Sequence, residues 1–319
     1  MKAAVLHQLG TSPKFEEFAA PQPSNEREVV VNVKAAAIKQ VDKSKASGKH
    51  YTNYPQLPVV VGIDGAGLLE DGTRIYAWGV TGMMAEQALV HKGRWAVIPD
   101  NLDIAVAAAL PNALVGSDMA LLYRAKMDKG QTILINGATG VTGKIAVQMA
   151  KNRGAAKVIV TGRNEEILEE LKSLGADETI NLKQEDDTII QQLTDSYNNQ
   201  PFDIVLDYLW GHPMELILRT LKDFTPRQIK IVTVGEMAGA QINIPSGLLR
   251  STKIELLGSG IGSISREELA EYMKDTLPAI LRLAAEGLLT MDIETVPLAD
   301  IESTWTKPET PGSRFVITM

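Results

Sequence analysis

The chain has 319 residues and no cysteine. That absence excludes a disulfide framework, a thiolate nucleophile and cysteine-ligated zinc. Histidine is scarce: His7, His50, His91 and His212 are scattered, and none sits at i, i+4 with a partner, so the spacing of a histidine metal site is missing. No apolar run approaches the ~20 residues that span a bilayer, and the apolar run in the opening MKAAVLHQLG is too short for a signal peptide. Positive charge is not in excess. The formal net charge of −7 argues against nucleic acid or an anionic membrane as the main partner. No internal repeat or low-complexity tract is present. A cytoplasmic protein is the expectation. Apolar residues make up 45% of the chain, enough for a sizeable core, and the length suggests about two domains.

The most informative stretch is Gln131 to Arg163, QTILINGATGVTGKIAVQMAKNRGAAKVIVTGR. Thr132 to Asn136 is a short apolar run bounded by turn signals, the pattern of a buried strand. Val141, Ile145 and Met149, with Ala146 and Ala150, make one apolar helix face that ends at Gly154. Lys157 to Thr161 is a second β-branched run. Strand, glycine turn, helix and strand fit into about 30 residues, the length of a βαβ unit. Ala138, Gly140 and Gly143 stand at the i, i+2, i+5 spacing of a dinucleotide turn, with alanine in place of the strict first glycine. Without a Cβ at Gly140 the backbone can approach a pyrophosphate, and Gly143 lets helix and strand pack closely. The first-turn amides of the helix then face the phosphates, so Ala138, Thr139, Gly140, Val141, Thr142 and Gly143 are candidate cofactor residues. At the end of the second strand stand Gly162 and Arg163, with no acid before Glu165. A guanidinium there suits a 2′-phosphate, which favours NADPH over NADH.

Elsewhere the pattern changes with position. Lys2 to Leu6, Glu28 to Ala37, Pro58 to Glu70, Arg74 to Trp78, Glu86 to Val90 and Trp95 to Ile98 read as short strands, so the first ~100 residues form a small β-rich domain. Ile104 to Leu110 is an alanine-rich helix stopped at Pro111, and Leu114 to Lys126 is a second helix. After Arg163, helix and strand alternate, with strands at Glu178 to Leu182, Phe202 to Leu206, Ile229 to Val234 and Lys253 to Leu257. With the two strands already described this makes six, the number in a doubly wound dinucleotide sheet. Ser265 opens a long helix, kinked at Pro278. Val296 to Met319 returns to short strands. The last two sheet strands end near Val234, Gly235, Gly258 and Ser259, and the crevice rule for such sheets makes these candidates for the nicotinamide ribose.

This layout resembles the medium-chain dehydrogenase/reductase superfamily, and within it the zinc-free quinone oxidoreductase (zeta-crystallin-like) branch. The resemblance covers nearly the whole chain. It rests on Ala35 to Asp42, Pro58 to Gly67, Leu110 to Ala113, Asn136 to Gly143, Thr233 to Gly235 and Gly312 to Ile317. It implies an α/β chain in which a discontinuous GroES-like catalytic domain of β-rich structure, 1–112 and 257–319, carries an inserted Rossmann domain, 113–256, with a doubly wound six-stranded parallel sheet that binds NADPH. Zinc members carry a catalytic cysteine in the first of these motifs and Gly-His-Glu in the second, where this chain has Gly62-Ile63-Asp64. Isoleucine cannot ligate zinc, so the Lewis-acid route is missing and no metal is expected. The branch usually has asparagine three residues before Asp42, where this chain has Lys39. Lys39 either supplies a hydrogen bond or charge to a carbonyl oxygen or points to water. In the resemblance Asp42 orients neighbours near the active-site cleft, or holds a turn. Tyr51 is the expected phenol near the substrate, with Tyr54 second.

The activity implied is hydride transfer from NADPH to a quinone, independent of zinc, in a homodimer joined through the edge strand around Lys253 to Leu257. One alternative is an NADPH-dependent enoyl or alkenal (2-alkenone) reductase, which shares every motif. Another, of a different class, is an NADPH-binding redox sensor or partner-binding module with little turnover. A methyltransferase-like fold using S-adenosylmethionine is disfavoured by the flanking β-rich domain and by Arg163.

Overall fold

The computed structural model spans residues 1–319 and describes all of them except 51, 53, 55, 223, 225 and 226. Its contacts divide the chain into two units, Met1–Pro111 with Arg266–Met319, and Asn112–Ser265. The divisions expected after 112 and 256 differ from these by one and nine residues, and a cut after 256 would pass through a strand of the second unit.

The first unit is built on antiparallel pairing. Its strands are β1 (Lys2–Leu6), β2 (Lys14–Glu17), β3 (Glu28–Ala37), β4 (Val59–Val60), β5 (Asp64–Leu68), β6 (Arg74–Gly79) and β7 (Gln87–Val97). β3 pairs with β5 and with β7, β5 with β6 and β6 with β7, so four antiparallel strands close on themselves as a small barrel. Closure removes free edges. Val31, Val33, Ile75, Ala77, Ala88 and Val90 alternate inward, giving a core that also takes in Met83, Met84, Trp305 and Phe315. The two expected strands 86–90 and 95–98 are one. Residues 87–91 pair with β3 and 95–97 with β6. The exposed His91–Arg94 stretch, with Gly93 at φ +73°, reads as a turn but only changes the strand's partner.

The second unit contains β8 (Thr132–Asn136), β9 (Lys157–Gly162), β10 (Glu178–Asn181), β11 (Ile204–Asp207), β12 (Gln228–Thr233) and β13 (Lys253–Gly258). They form one parallel sheet in the order β10-β9-β8-β11-β12-β13, which is strand order 3-2-1-4-5-6 of the doubly wound dinucleotide fold. Parallel strands are buried on both faces and so read as continuous apolar runs. Ile133, Ile135, Val158, Val160, Ile204 and Leu206 face one layer, against Ala146, Val147 and Ala150 of the helix Val141–Asn152. Leu134, Ile159, Val205 and Ile231 face the other, against Leu193, Tyr197, Met214 and Ile217. Burying each valine, leucine, isoleucine or methionine side chain of these layers is worth about 1.5–3 kcal/mol.

β14 (Asp292–Pro297) and β15 (Ser313–Thr318) return to the first unit, where β15 adds to β3 antiparallel and β14 runs parallel to β15. One proline expectation changes. The helix Ile104–Val115 runs through Pro111 rather than stopping there, so the proline removes one hydrogen bond without ending the helix. Pro278 lies inside one continuous helical run, Arg266–Ala285, directly after a π-helical turn at Tyr272–Thr276 that makes room for its missing N–H. Ile104–Ala125, a helical stretch of 22 residues, is long and apolar enough to cross a membrane, contrary to expectation, and 72% of its most apolar window is buried in protein.

Candidate functional site

The glycine turn forms at the carboxyl end of β8. Gly137 has φ +90°, which lets the chain leave the strand sharply. Gly140 is the N-cap of the following helix, extended at φ −90° with no capping side chain. The first intrahelical bond runs from Lys144 N–H to Gly140 O at 2.9 Å, which leaves the amides of Val141, Thr142 and Gly143 open. The glycines differ in what a Cβ would meet. At Gly143 it would lie 2.5 Å from Ala138 Cα and O, so close packing of turn on helix requires glycine. At Gly140 it would meet nothing within 4 Å. That position is therefore open, the room a phosphate would use. Ala138 is fully buried beneath the turn, and the Thr139 side chain packs against Gly162.

The other nucleotide candidates lie along the same sheet edge. Thr161, Asn136, Asp207, Thr233 and Gly258 occupy one register row across β9, β8, β11, β12 and β13. Gly162 and Arg163 follow Thr161, Val234 and Gly235 follow Thr233, and Ser259 follows Gly258. Arg163 is exposed, and it makes no hydrogen bond or ion pair among the described residues. Val234 N–H and Gly235 N–H bond to Asp207 O at 2.8 and 3.3 Å, and Ser259 N–H to Thr233 O at 2.8 Å. The Ser259 hydroxyl is buried without a partner. An open Gly140, three open amides, a partner-free guanidinium and an orphaned hydroxyl at one edge fit a phosphorylated dinucleotide.

In the first unit, a charge cluster forms at the start of the helix Gln40–Ala46. Lys39 is 1% exposed, and Asp42 and Asp64 are fully buried. The Lys39 ammonium donates to Ala37 O at 2.9 Å and to Asp64 Oδ1 at 2.6 Å, and lies 3.2 Å from Asp42 Oδ2. Three acceptors thus surround three ammonium hydrogens. Asp42 also accepts the Lys39 backbone N–H at 3.1 Å and the Ile63 N–H at 3.1 Å, which ties the helix start to the loop before β5. The expectation that Lys39 points to water does not hold. Burial alone would lower its pKa, but Asp42 and Asp64 outweigh that and hold it above the ordinary lysine value. Two carboxylates share one ammonium, and at Asp42 burial wins and pushes the carboxyl up. Arg314 of β15 is also buried, which lowers its pKa against the charges of Glu309, Asp64 and Asp42.

Tyrosines border this cluster. The Tyr76 hydroxyl, fully buried, is pushed well above the usual phenol range by desolvation and then by Asp64. Tyr54 has a buried hydroxyl without a partner, and Lys45 Nζ sits 4.9 Å from its ring centroid. Burial, and then Asp42, raise its phenol, so it stays protonated. Tyr51 lies outside the described residues. Asp64 and Tyr76 are not among the candidate site residues of the sequence. The signals for Asp64 are an acid inside the apolar run 58–67 and its place in Gly62-Ile63-Asp64, where zinc members carry Gly-His-Glu.

A protein family described as zinc-binding dehydrogenase matches residues 141–277. The donors here do not fit zinc. The chain has no cysteine, no group of three His, Asp or Glu side chains among the described residues could hold a metal, and the carboxylates Asp42 and Asp64 are occupied by an ammonium. The chain is 28% identical, over 96% of its own length and 96% of the relative's, to a probable NADPH-dependent quinone reductase, tdiC, of Emericella nidulans. It is 36% identical to the chloroplastic NADPH-dependent alkenal/one oxidoreductase of Arabidopsis thaliana over 65% of this chain and 57% of that one. The fold matches an Escherichia coli quinone oxidoreductase crystallised with NADPH, with a TM-score of 0.81 at 23% identity over 100% of both chains.

Proposed function

We propose, for a chain that belongs to the quinone-oxidoreductase-like side of the medium-chain dehydrogenase/reductase superfamily, that it reduces a quinone with NADPH and without zinc. The observation that carries this reading is the open glycine turn at the carboxyl edge of a 3-2-1-4-5-6 sheet, followed by the partner-free Arg163. Bound at that edge, NADPH supplies the hydride. The amides of Val141, Thr142 and Gly143, with Ala138, Thr139 and Gly140, hold the pyrophosphate. Arg163, beside Gly162, takes the 2′-phosphate, and a bidentate guanidinium suits that group. Val234, Gly235, Gly258 and Ser259 line the nicotinamide ribose.

Reduction of a quinone or enone builds negative charge on oxygen, which preorganised donors stabilise. Lys39 has no hydrogen left to give a substrate, so we assign it a field and a scaffold: it holds Asp42 and Asp64, and Asp42 holds Ile63. The phenol role falls to Tyr51 or Tyr54. The buried, unpartnered hydroxyl of Tyr54 beside Asp42 favours Tyr54 as a donor. The likeness to an alkenal/one oxidoreductase supports a second reading, reduction of a 2-alkenone. A homodimer through β13 is supported by its place at the sheet edge and by exposed Leu256, and a cytoplasmic location is part of the same reading.

The test is NADPH oxidation by the pure protein with no metal added, offering an ortho-quinone, a para-quinone and a 2-alkenone, each repeated with NADH. Quinone-dependent loss of NADPH alone supports the proposal. Turnover with the alkenone alone moves the assignment to the second reading. Tight NADPH binding with no acceptor consumed would replace both with a nucleotide-binding module.

A further inference from the structure

We propose that Asp207 is a positioning residue of the nucleotide site, whose buried carboxylate fixes the shape of the glycine turn from two sides. The proposal rests on the reading that this turn holds the nucleotide's phosphates. Asp207 ends β11, next to Asn136 at the end of β8. Strand order reverses between these two strands, and ligands of such sheets bind at that reversal. The turn after β8 and the corner after β11 therefore flank the crevice, and one carboxylate reaches both.

The first arm runs through side chains. Asn136 Nδ2 donates to Asp207 Oδ1 at 2.7 Å, Thr161 Oγ1 donates to Asn136 Oδ1 at 2.7 Å, and Gly137 N–H is shared between Thr161 Oγ1 at 3.1 Å and Thr161 O at 3.2 Å. All three side chains are fully buried. Every donor points toward Asp207. An ionised carboxylate can only accept, so it sets the Asn136 amide with nitrogen toward it and oxygen toward Thr161. That orientation directs the Thr161 hydroxyl hydrogen to Asn136 and frees its lone pair for the turn. A neutral amide at 207 could face either way and would not impose this direction.

The second arm runs through backbone. Leu209 N–H donates to Asp207 Oδ1 at 3.1 Å, and Trp210 N–H lies 3.1 Å from Oδ2. Trp210 has φ +53°, a conformation that costs a bulky residue about 1–3 kcal/mol and persists only where its surroundings hold it. The corner places the Leu209 side chain over the turn, with Leu209 Cγ 2.6 Å from where a Cβ on Gly137 would stand. Both arms end at Gly137, the residue that opens the turn. Desolvation pushes Asp207 up, against the pull of Asn136, Trp210 and Leu209. A buried acid is thus held at the ligand edge of a sheet whose neighbours in the same row, Thr233 and Gly258, are uncharged.

The test compares Asp207→Asn, Thr161→Val and the conservative Thr161→Ser by three readouts: amide hydrogen exchange of the 137–140 segment without nucleotide, NADPH Kd, and thermal unfolding. Thr161→Val keeps shape and removes the polar link, so exchange in the turn speeds up and NADPH Kd rises about tenfold, the loss of one buried hydrogen bond. Thr161→Ser restores both, and Asp207→Asn acts as Thr161→Val does. Unchanged exchange in Thr161→Val and Asp207→Asn overturns the proposal. So does faster exchange with unchanged NADPH affinity, or faster exchange spread over the whole unit with a matching fall in unfolding temperature. Wild-type protein that binds no NADPH would remove the cofactor reading instead, and the exchange arm would still decide whether Asp207 shapes the turn.

Discussion

Replacing Lys39 by methionine keeps the length of the side chain and removes its charge. The ammonium stands 2.6 Å from Asp64 Oδ1 and 3.2 Å from Asp42 Oδ2, with all three side chains at 1% exposure or less. Removing one partner of a buried ion pair costs about 3–5 kcal/mol, because the remaining charge is left uncompensated. Here two carboxylates would be left, so the upper half of that range is expected. This is a large part of the 5–15 kcal/mol that holds a typical domain together. At about 2–4 °C per kcal/mol for a domain of 150–250 residues, the unfolding temperature of the first unit falls by about 8–20 °C. Adding Asp64→Asn removes one stranded charge and recovers about 1–3 kcal/mol of the loss. The assay is thermal and urea unfolding of wild type, Lys39→Met and the double variant, read beside steady-state turnover. A single variant within about 0.5 kcal/mol of wild type, the range of ordinary surface substitutions, would refute the buried triad. So would a lysine variant of normal stability that lost only turnover, since Lys39 would then be reaching the substrate.

Gly140→Ala and Gly143→Ala should part company. The first places its Cβ in open space at φ −90° and leaves stability within about 0.5 kcal/mol while weakening NADPH binding. The second drives a Cβ to 2.5 Å from Ala138 and costs about 1–3 kcal/mol of stability, measured by urea unfolding. Arg163→Ala should raise Kd for NADPH about 10–100-fold, the worth of a charged hydrogen bond, and leave NADH unchanged; equal losses for both nucleotides would refute the 2′-phosphate role. The pH dependence follows from Lys39. Its folded-state pKa is raised, so the stability it contributes is fully present below the unfolded value, about 10.4, and is lost as pH rises through the higher folded value. Melting curves should therefore show the gap between wild type and Lys39→Met narrow as pH rises beyond about 10, and narrow also toward acid, where the stranded Asp42 carboxyl, already pushed up by burial, takes up a proton.

The parallel sheet was legible because strands buried on both faces write themselves as continuous apolar runs between glycines. Thr132–Asn136 and Lys157–Gly162 fall within a residue of where the sequence puts them. The antiparallel unit was less so. His91 to Arg94 is polar and carries Gly93 at a left-handed φ, yet it does not end the strand, because two different strands pair with its two ends. That information lies in residues 28–32 and 75–77, far away in sequence. Pro111 failed as a stop for a similar reason: local propensity argues against helix there, and burial of Ala107 to Leu114 overrides it.

The same logic explains what the sequence hid about the chemistry. Asp42 is three residues from Lys39, and their pairing can be guessed from helix spacing. Asp64 is 25 residues from Lys39, and only the register of β3 against β5 brings it to the ammonium. Lysine is an exposed residue by default, and what buries this one is the second carboxylate. With it, the cluster becomes a fixed positive charge held by two acids and a carbonyl oxygen. A divalent cation could enter only by displacing the ammonium, and it would find neither cysteine nor histidine to replace the lost bonds. These carboxylates therefore hold a cation that belongs to the chain itself, covalently attached and unable to leave. Its charge then depends on pH above the ordinary lysine range rather than on metal supply, so a chelator should leave both stability and turnover unchanged. Loss of either on adding chelator would show that the ammonium is not the cation these carboxylates hold.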